Sequence, residues 1–371
     1  MASRAGAYVR ANVDVPNAEI AVSLGDTDLV GPNAATPGLT FVDLAARHSA
    51  QSEHSQRLTS SIQEQAHRLA SSDRVLIRWP WLAGPGKAPD TNRVEDWIGR
   101  LKGDGDDSAV LSAHTELGVV QHVVGERPIV RWSGPAPADE DAVLAHARAV
   151  ETQALLRRSN AIWEPKTYHY KLPNGQHVET FVRLADAIQS PRDAYVLSTW
   201  LTDRLRNGVG IVVDSGSLTP LLLQIEAILE RFDWERGPAS ILNTSPAARP
   251  LVRRSVESAA PEFGEAILGI QSVSSSGDLN RMLEDELERV ADAYGLEWSM
   301  AVVVDRRRTG AECTTLTPTA ERPAVSWLGL GDAGGTQPAG TCGLCRDPTK
   351  AQYVAIDPRT YGEMALPAPT G

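Results

Sequence analysis

Three cysteines in a chain of 371 residues are too few, and odd in number, to form a disulfide framework. No apolar run approaches the roughly 18 residues of a membrane-crossing helix, and the opening Met-Ala-Ser-Arg-Ala-Gly is not followed by the apolar core of a signal peptide. The expectation is a soluble cytoplasmic protein with no membrane partner. The short motifs that announce common chemistries are missing as well. There is no G-x-S-x-G nucleophile elbow, no Walker A loop and no H-E-x-x-H, and the eight histidines are scattered. Nor is there an excess of basic charge: 36 Lys and Arg against 47 Asp and Glu leave a formal charge of −11. That balance argues against non-specific nucleic-acid binding, and any anionic ligand would need a local basic patch.

What the chain does carry is a pair of strand–loop–helix junctions suited to an anion. The run 266–271, Ala-Ile-Leu-Gly-Ile-Gln, flows into the loop 272–277, Ser-Val-Ser-Ser-Ser-Gly, and then into a helix from about Asp278. Successive backbone N–H groups in a Ser/Gly loop, followed by the positive end of a helix, can seat a phosphate without a lysine. Taken alone, the same junction is also an ordinary β–α turn with a good N-cap. The construction recurs earlier: 209–213 is a strand, 214–218 (Asp-Ser-Gly-Ser-Leu) a loop, and Thr219-Pro220 a helix start with Thr capping and Pro in the first turn. The helices that follow carry apolar stripes at helical spacing: Leu221, Leu222, Ile225, Ile228, Leu229 and Phe232 in one, Leu279, Met282, Leu283, Leu287, Val290, Ala291 and Tyr294 in the other. With two further strand candidates at 239–243 and 298–304, residues 205–305 read as repeated βα units, hence a largely parallel sheet with flanking helices. Ligands bind such sheets at the carboxyl ends of the strands, where both loops lie.

Around this α/β core the chain divides into a flexible N-terminal arm (1–55), an accessory α/β region (56–159), the core domain (160–310) and a cysteine-bearing C-terminal extension (311–371). The arm is rich in Ala, Ser, Asn, Pro and Gly, with short strand candidates at 8–13 and 20–24. The accessory region shows a helical face at 57–69, strands at 74–78, 118–124 and 128–132, and helices at 93–101 and 142–158. Upstream of the core, 168–184 alternates about Asn174-Gly175, a hairpin signal of the type I′ class.

This order of elements resembles the type I phosphoribosyltransferases, most closely their orotate branch, over residues 165–305. The hairpin segment 170–177 matches the stretch with which that branch opens, 209–220 its pyrophosphate-binding junction, and 267–279 its signature. The resemblance implies that Ser276 and Gly277, with Ser274 and Ser275, cradle a 5′-phosphate, and that Ser215, Gly216 and Ser217 serve pyrophosphate. It places Gln271 and Ser272 where the family carries two acids that hold the ribose hydroxyls. A neutral pair cannot balance charge on the departing ribose, so ordinary transfer should be slowed by orders of magnitude. It also puts Arg249, Arg253 and Arg254 in a mobile basic loop over pyrophosphate, an exposed basic helix face being the alternative. Asp214 could take over acidic work at the ribose or at Mg²⁺, or be a plain turn residue. The implied ligand is phosphoribosyl pyrophosphate (PRPP) or a nucleotide, and the implied assembly a homodimer. Three readings stand: a binding protein with divergent or lost transferase activity, an active Mg²⁺-dependent (magnesium) phosphoribosyltransferase, and a non-catalytic interaction scaffold.

The cysteines form a separate signal. Cys342-Gly-Leu-Cys345 has knuckle spacing, and Cys313 lies 29 residues upstream of Cys342. Three thiolates and one further ligand, Asp347 or a distant His, would complete a tetrahedral structural zinc site. Unligated thiols and a redox pair are the alternatives.

Overall fold

The computed structural model describes residues 7–13, 20–23, 39–43, 74–78, 82–87, 91–102, 116–172, 175–242, 249–275, 277–308, 312–313, 315–316, 318–319, 323–330, 337–349 and 351–356. The helix expected at 57–69 lies outside them. Among the described residues no helix is long and apolar enough to cross a membrane. The chain forms two compact units, residues 1–154 with 195–205 and residues 155–194 with 206–371.

The first unit is built on a six-stranded sheet of order β2-β1-β3-β4-β5-β6, with β1 Ala7–Val13, β2 Ile20–Ser23, β3 Leu39–Asp43, β4 Arg74–Arg78, β5 Glu116–Val123 and β6 Glu126–Trp132. Strands β1, β3, β4 and β5 run parallel, and β2 and β6 pair antiparallel at the two edges. Three of these strands fall within residues 7–43, the stretch read from sequence as an arm. Strands β1 and β2 coincide with the candidates at 8–13 and 20–24 and pair with each other, while β3, which joins β1 to β4, is the strand the sequence did not announce. Val75, Leu76 and Ile77 in β4 are all fully buried, as expected of an inner parallel strand covered on both faces. Helix α1 Thr91–Lys102 and most of helix α2 Glu140–Arg158 also belong here.

The second unit holds a five-stranded, wholly parallel sheet of order β12-β11-β13-β14-β15. Its strands are β11 Val209–Val213, β12 Arg236–Ile241, β13 Ala266–Ser274, β14 Glu297–Asp305 and β15 Ala324–Gly329. The connecting helices include Thr219–Glu230, Arg249–Ala259 and Asp278–Tyr294. All five residues of β11 and the first six of β13 are buried. Helix Asp278–Tyr294 seats Met282, Leu283, Leu287 and Val290 against Ile267, Met300 and Val302 of the sheet. Gly269 permits that approach, since a Cβ there would run into the Leu287 side chain.

The segment expected as a mobile basic loop starts instead as a helix, Arg249–Ala259, with Val252 and Val256 packed into the same core. Arg249 and Arg253 turn onto Glu286 of the neighbouring helix at 2.9 and 3.0 Å, and Arg289 joins them at 3.0 Å. Burial would raise the Glu286 carboxyl, but hydrogen bonds from Arg253, Arg249 and Arg289 outweigh it and bring the pKa down to about 2. A depressed carboxylate stabilises the fold above its unfolded value of 4.5, and that contribution is lost as pH falls through about 2. Glu286→Gln is expected to cost about 1–2 kcal/mol at neutral pH, a figure discounted because the arginines are nearly half exposed. Urea titrations at pH 7 and pH 2.5 check it: the gap between variant and parent should narrow at the lower pH.

Candidate functional site

The strand order of the five-stranded sheet reverses direction between β11 and β13, which are adjacent though β12 intervenes in sequence. A crevice forms at such a reversal, outside the carboxyl ends of the two strands, and it is the favoured ligand position in parallel α/β sheets. Both junctions singled out in the sequence emerge there. Asp214 follows β11 directly, and Ser272 to Ser274 close β13.

The two junctions are bonded to each other. Ser272 donates its backbone N–H (2.9 Å) and its hydroxyl (2.8 Å) to Asp214 Oδ2. Burial, only partly offset by these hydrogen bonds, pushes the Asp214 carboxyl up to about 6. The carboxyl that follows β11 thus stands beside Gln271 and Ser272 of the neighbouring strand. Gln271 is 1% exposed; its amide N–H reaches the Val273 carbonyl at 3.3 Å, while its buried Oε1 has no hydrogen-bond partner among the described residues. Ser274 Oγ is likewise buried and unpartnered. In the earlier loop, Ser215 and Ser217 share a hydroxyl–hydroxyl bond, Gly216 opens a short 3₁₀ turn, and Thr219 donates to the Gly216 carbonyl at 2.7 Å. Ser275 is half-buried, and Ser276 lies outside the described residues.

Gly277 stands at the N-terminus of helix Asp278–Tyr294 with φ +83°, a left-handed conformation that favours glycine. A Cβ there would meet the guanidinium of Arg307. Sequence reading missed this arginine, although the triplet Arg306, Arg307 and Arg308 at a strand end was visible. Arg307 is held by Asp305, the last residue of β14, through Nε (3.0 Å) and a terminal nitrogen (2.9 Å), and Arg308 approaches the same carboxylate at 3.5 Å. Burial would raise Asp305, but the bonds from Arg307 and Ser326 outweigh it and hold its pKa below the usual value. Arg306 turns the other way and donates to the Thr180 carbonyl, tethering this strand end to the segment after the hairpin. Arg307 has Asp305, Glu284 and Asp278 as acidic neighbours, so what the loop is offered is one guanidinium beside Gly277 and not a broad basic patch.

The edge does not fit a resident Mg²⁺. Among the described residues its two carboxylates are already engaged, Asp214 by Ser272 and Asp305 by Arg307, Arg308 and Ser326. Arg249 and Arg253 are likewise committed to Glu286 rather than to the loops.

Beside the two-stranded pair β7 Ile162–Trp163 and β10 Phe181–Val182, the hairpin is present as β8 Tyr168–Lys171 and β9 Gln176–Val178, in a four-stranded sheet of order β16-β9-β8-β17 whose outer strands are β16 Gln337–Pro338 and β17 Gln352–Ala355. It brings His169 and His177 together with Cys342 and Cys345, their four ligand atoms all within 4.8 Å of one another. Cys313 is not in this group. It is buried elsewhere, lining a cleft with Glu284, Asp285, Glu288 and Arg308. The expectation of three cysteine ligands is corrected: the thiol closest in sequence follows β14 on the other sheet, while β8 and β9 supply two imidazoles. His177 is shifted down, by burial first and then by His169 and Lys171, so the imidazole is neutral near pH 7.

No protein-family model matches the sequence, and no curated protein matches it. Among solved structures the chain is similar to the UMP synthase of Leishmania donovani at 11% identity, over 79% of this chain and 77% of that one, with a TM-score of 0.32. A likeness this slight carries no argument about activity.

Proposed function

We propose that the second unit binds a phosphorylated ribose, PRPP or a nucleotide, at the crevice between β11 and β13, and that transferase chemistry there has diverged or been lost. One observation carries the reading: the strand order reverses at the place where the two Ser/Gly junctions meet and bond through Asp214 and Ser272. Arg307 beside Gly277 supplies the cation for a phosphate at the loop, as two or three charge-assisted hydrogen bonds. The buried Gln271 carbonyl and Ser274 hydroxyl are polar groups whose desolvation a ligand's hydroxyls would offset. Loss of transfer chemistry is favoured by the neutral Gln271-Ser272 pair, because the single acid nearby is drawn into holding the loops together.

Calorimetric titration with PRPP and Mg²⁺, followed by a pyrophosphate-release assay across pooled nucleobases, tests the reading. Saturable binding without release is the expected result. Release would establish an active transferase, and absence of binding to PRPP and to nucleotides would sink the proposal and favour a scaffold. Arg307→Gln is expected to weaken binding by roughly 10- to 100-fold, the worth of hydrogen bonds from a charged group. Arg253→Gln, on the helix surface facing Glu286, should leave affinity unchanged.

A further inference from the structure

We propose that His169, His177, Cys342 and Cys345 form a closed Cys₂His₂ site for a structural Zn²⁺, which staples the C-terminal segment onto the hairpin. The topology builds the site from both sides. Strand β16 Gln337–Pro338 pairs with β9 and strand β17 Gln352–Ala355 pairs with β8, so the segment between them leaves one edge of the hairpin and returns at the other. The knuckle Cys342 to Cys345 lies on that crossing, opening the short helix Gly343–Arg346. Gln337 Oε1 accepts the Gly343 N–H at 2.6 Å and fixes the turn.

Register places both imidazoles on one face. Lys171 pairs with His177, and side chains alternate along β8, so His169 shares a face with Lys171 and with His177. The opposite face carries Tyr170 and Val178, which pack with Phe181 and Ile356 in an apolar cluster. The small sheet therefore has one greasy side and one side made of metal ligands.

The distances suit a tetrahedron. His169 Nε2 and His177 Nδ1 are 2.8 Å apart, and Cys345 Sγ lies 3.2 Å from His177 Nδ1 and 3.5 Å from His169 Nε2. A tetrahedral zinc with Zn–S of ~2.3 Å and Zn–N of ~2.0–2.1 Å has ligand–ligand edges of roughly 3.3–3.8 Å; the three separations above lie within about 0.6 Å of the matching edges, and the widest in the group, up to 4.8 Å, would close by about 1 Å on binding. His169, His177 and Cys342 are buried. Two buried imidazoles in contact with two thiols make a poor apolar core, whereas two thiolates, two neutral imidazoles and Zn²⁺ sum to zero charge. Binding would release one proton from each thiol. Four protein ligands leave no open position, which assigns the ion to structure and not to catalysis. Mixed sulfur and nitrogen ligands select Zn²⁺ over oxygen-seeking Mg²⁺ or Ca²⁺.

Metal analysis of the purified full-length chain, with cobalt substitution, tests this. We expect roughly one zinc per chain, and a Co²⁺ form with the intense visible bands of tetrahedral cobalt and a thiolate charge-transfer band in the near ultraviolet. Cys345→Ser and His177→Ala should each lose the metal, while Cys313→Ser should retain it with an unchanged cobalt spectrum. Chelation should lower the melting temperature and zinc should restore it. Two results would overturn the assignment without relying on any variant that fails to fold: no stoichiometric zinc or cobalt in the parent chain, or bound cobalt lacking the thiolate band. Loss of metal in Cys313→Ser would overturn the ligand set.

Discussion

Glu151→Ala should lower the stability of the first unit by about 3–5 kcal/mol, the usual cost of stranding one partner of a buried ion pair. Arg78, the last residue of β4, is 1% exposed, and its guanidinium donates to Glu151 of helix α2 and to the Thr199 hydroxyl. The same guanidinium lies 4.6 Å from the centroid of the Trp200 ring, whose indole N–H also donates to Glu151. One carboxylate therefore neutralises the cation and satisfies the indole. Removing it takes the carboxylate from a buried positive charge and a partner from Trp200. Glu151→Gln keeps an acceptor but loses the charge, so about half the effect is expected. The pair itself, weighed against a hydrophobic filling of the same volume, is near break-even. The double variant Arg78→Met, Glu151→Leu should accordingly regain most of what the single variant loses. Urea unfolding followed by tryptophan fluorescence decides the matter. A loss below about 1 kcal/mol in Glu151→Ala, or a double variant no better than the single one, would mean that water reaches the cluster and screens it.

These two outcomes bear on how much of the molecule its sequence discloses. Strand β11 coincides with the run 209–213 read from sequence, because four apolar side chains, three of them β-branched valines, between Gly208 and Asp214 suit a short inner parallel strand. Helix Asp278–Tyr294 begins where its apolar stripe and the preceding Gly277 place it, and ends at Gly295 in the left-handed conformation. Helix Arg249–Ala259 was harder. Its buried side consists of little more than Val252 and Val256 among three arginines and two serines, and its attachment depends on Glu286, which is 37 residues beyond Arg249. The same limit applies to the candidate metal group. A CxxC pattern is local, but its imidazole partners are about 170 positions away, and nothing in the chain between them marks the pairing. The alternation of His169 with Lys171 about a Gly turn was the available clue, since it put one histidine on each strand of the hairpin. The strand order that locates the crevice is non-local too. Whether β11 adjoins β12, β13 or both follows from sheet assembly and not from any one segment's pattern.

Asp214→Asn should stabilise the protein at neutral pH and weaken its hold on ligand. The carboxyl is 6% exposed and its folded pKa is about 6 against an ordinary 3.8. A raised acid is protonated in both states below about pH 4 and costs nothing there. Between about pH 4 and 6 the unfolded chain gives up its proton while the folded chain keeps it, so stability falls as pH rises, by about 3 kcal/mol in all. Above about pH 6 the loss is complete and constant. Asparagine has nothing to ionise and can still accept the Ser272 N–H, so the variant should match its parent near pH 4 and exceed it by about 1–3 kcal/mol at pH 7.5. Parallel stability curves across that range would show that the Ser272 bonds keep Asp214 ionised at no cost. The binding experiment then separates two roles. If the carboxylate only fastened one loop to the other, the variant that folds more firmly should bind at least as well as its parent. If the charge also meets the ribose hydroxyls, beside Gln271 and Ser274, affinity for PRPP should drop roughly 10-fold or more, because bonds to a charged acceptor are worth about 1.5–3 kcal/mol. A chain that keeps an ionisable group at a cost in stability, at the crevice where its sheet reverses, is making the exchange expected of a binding site rather than of a core.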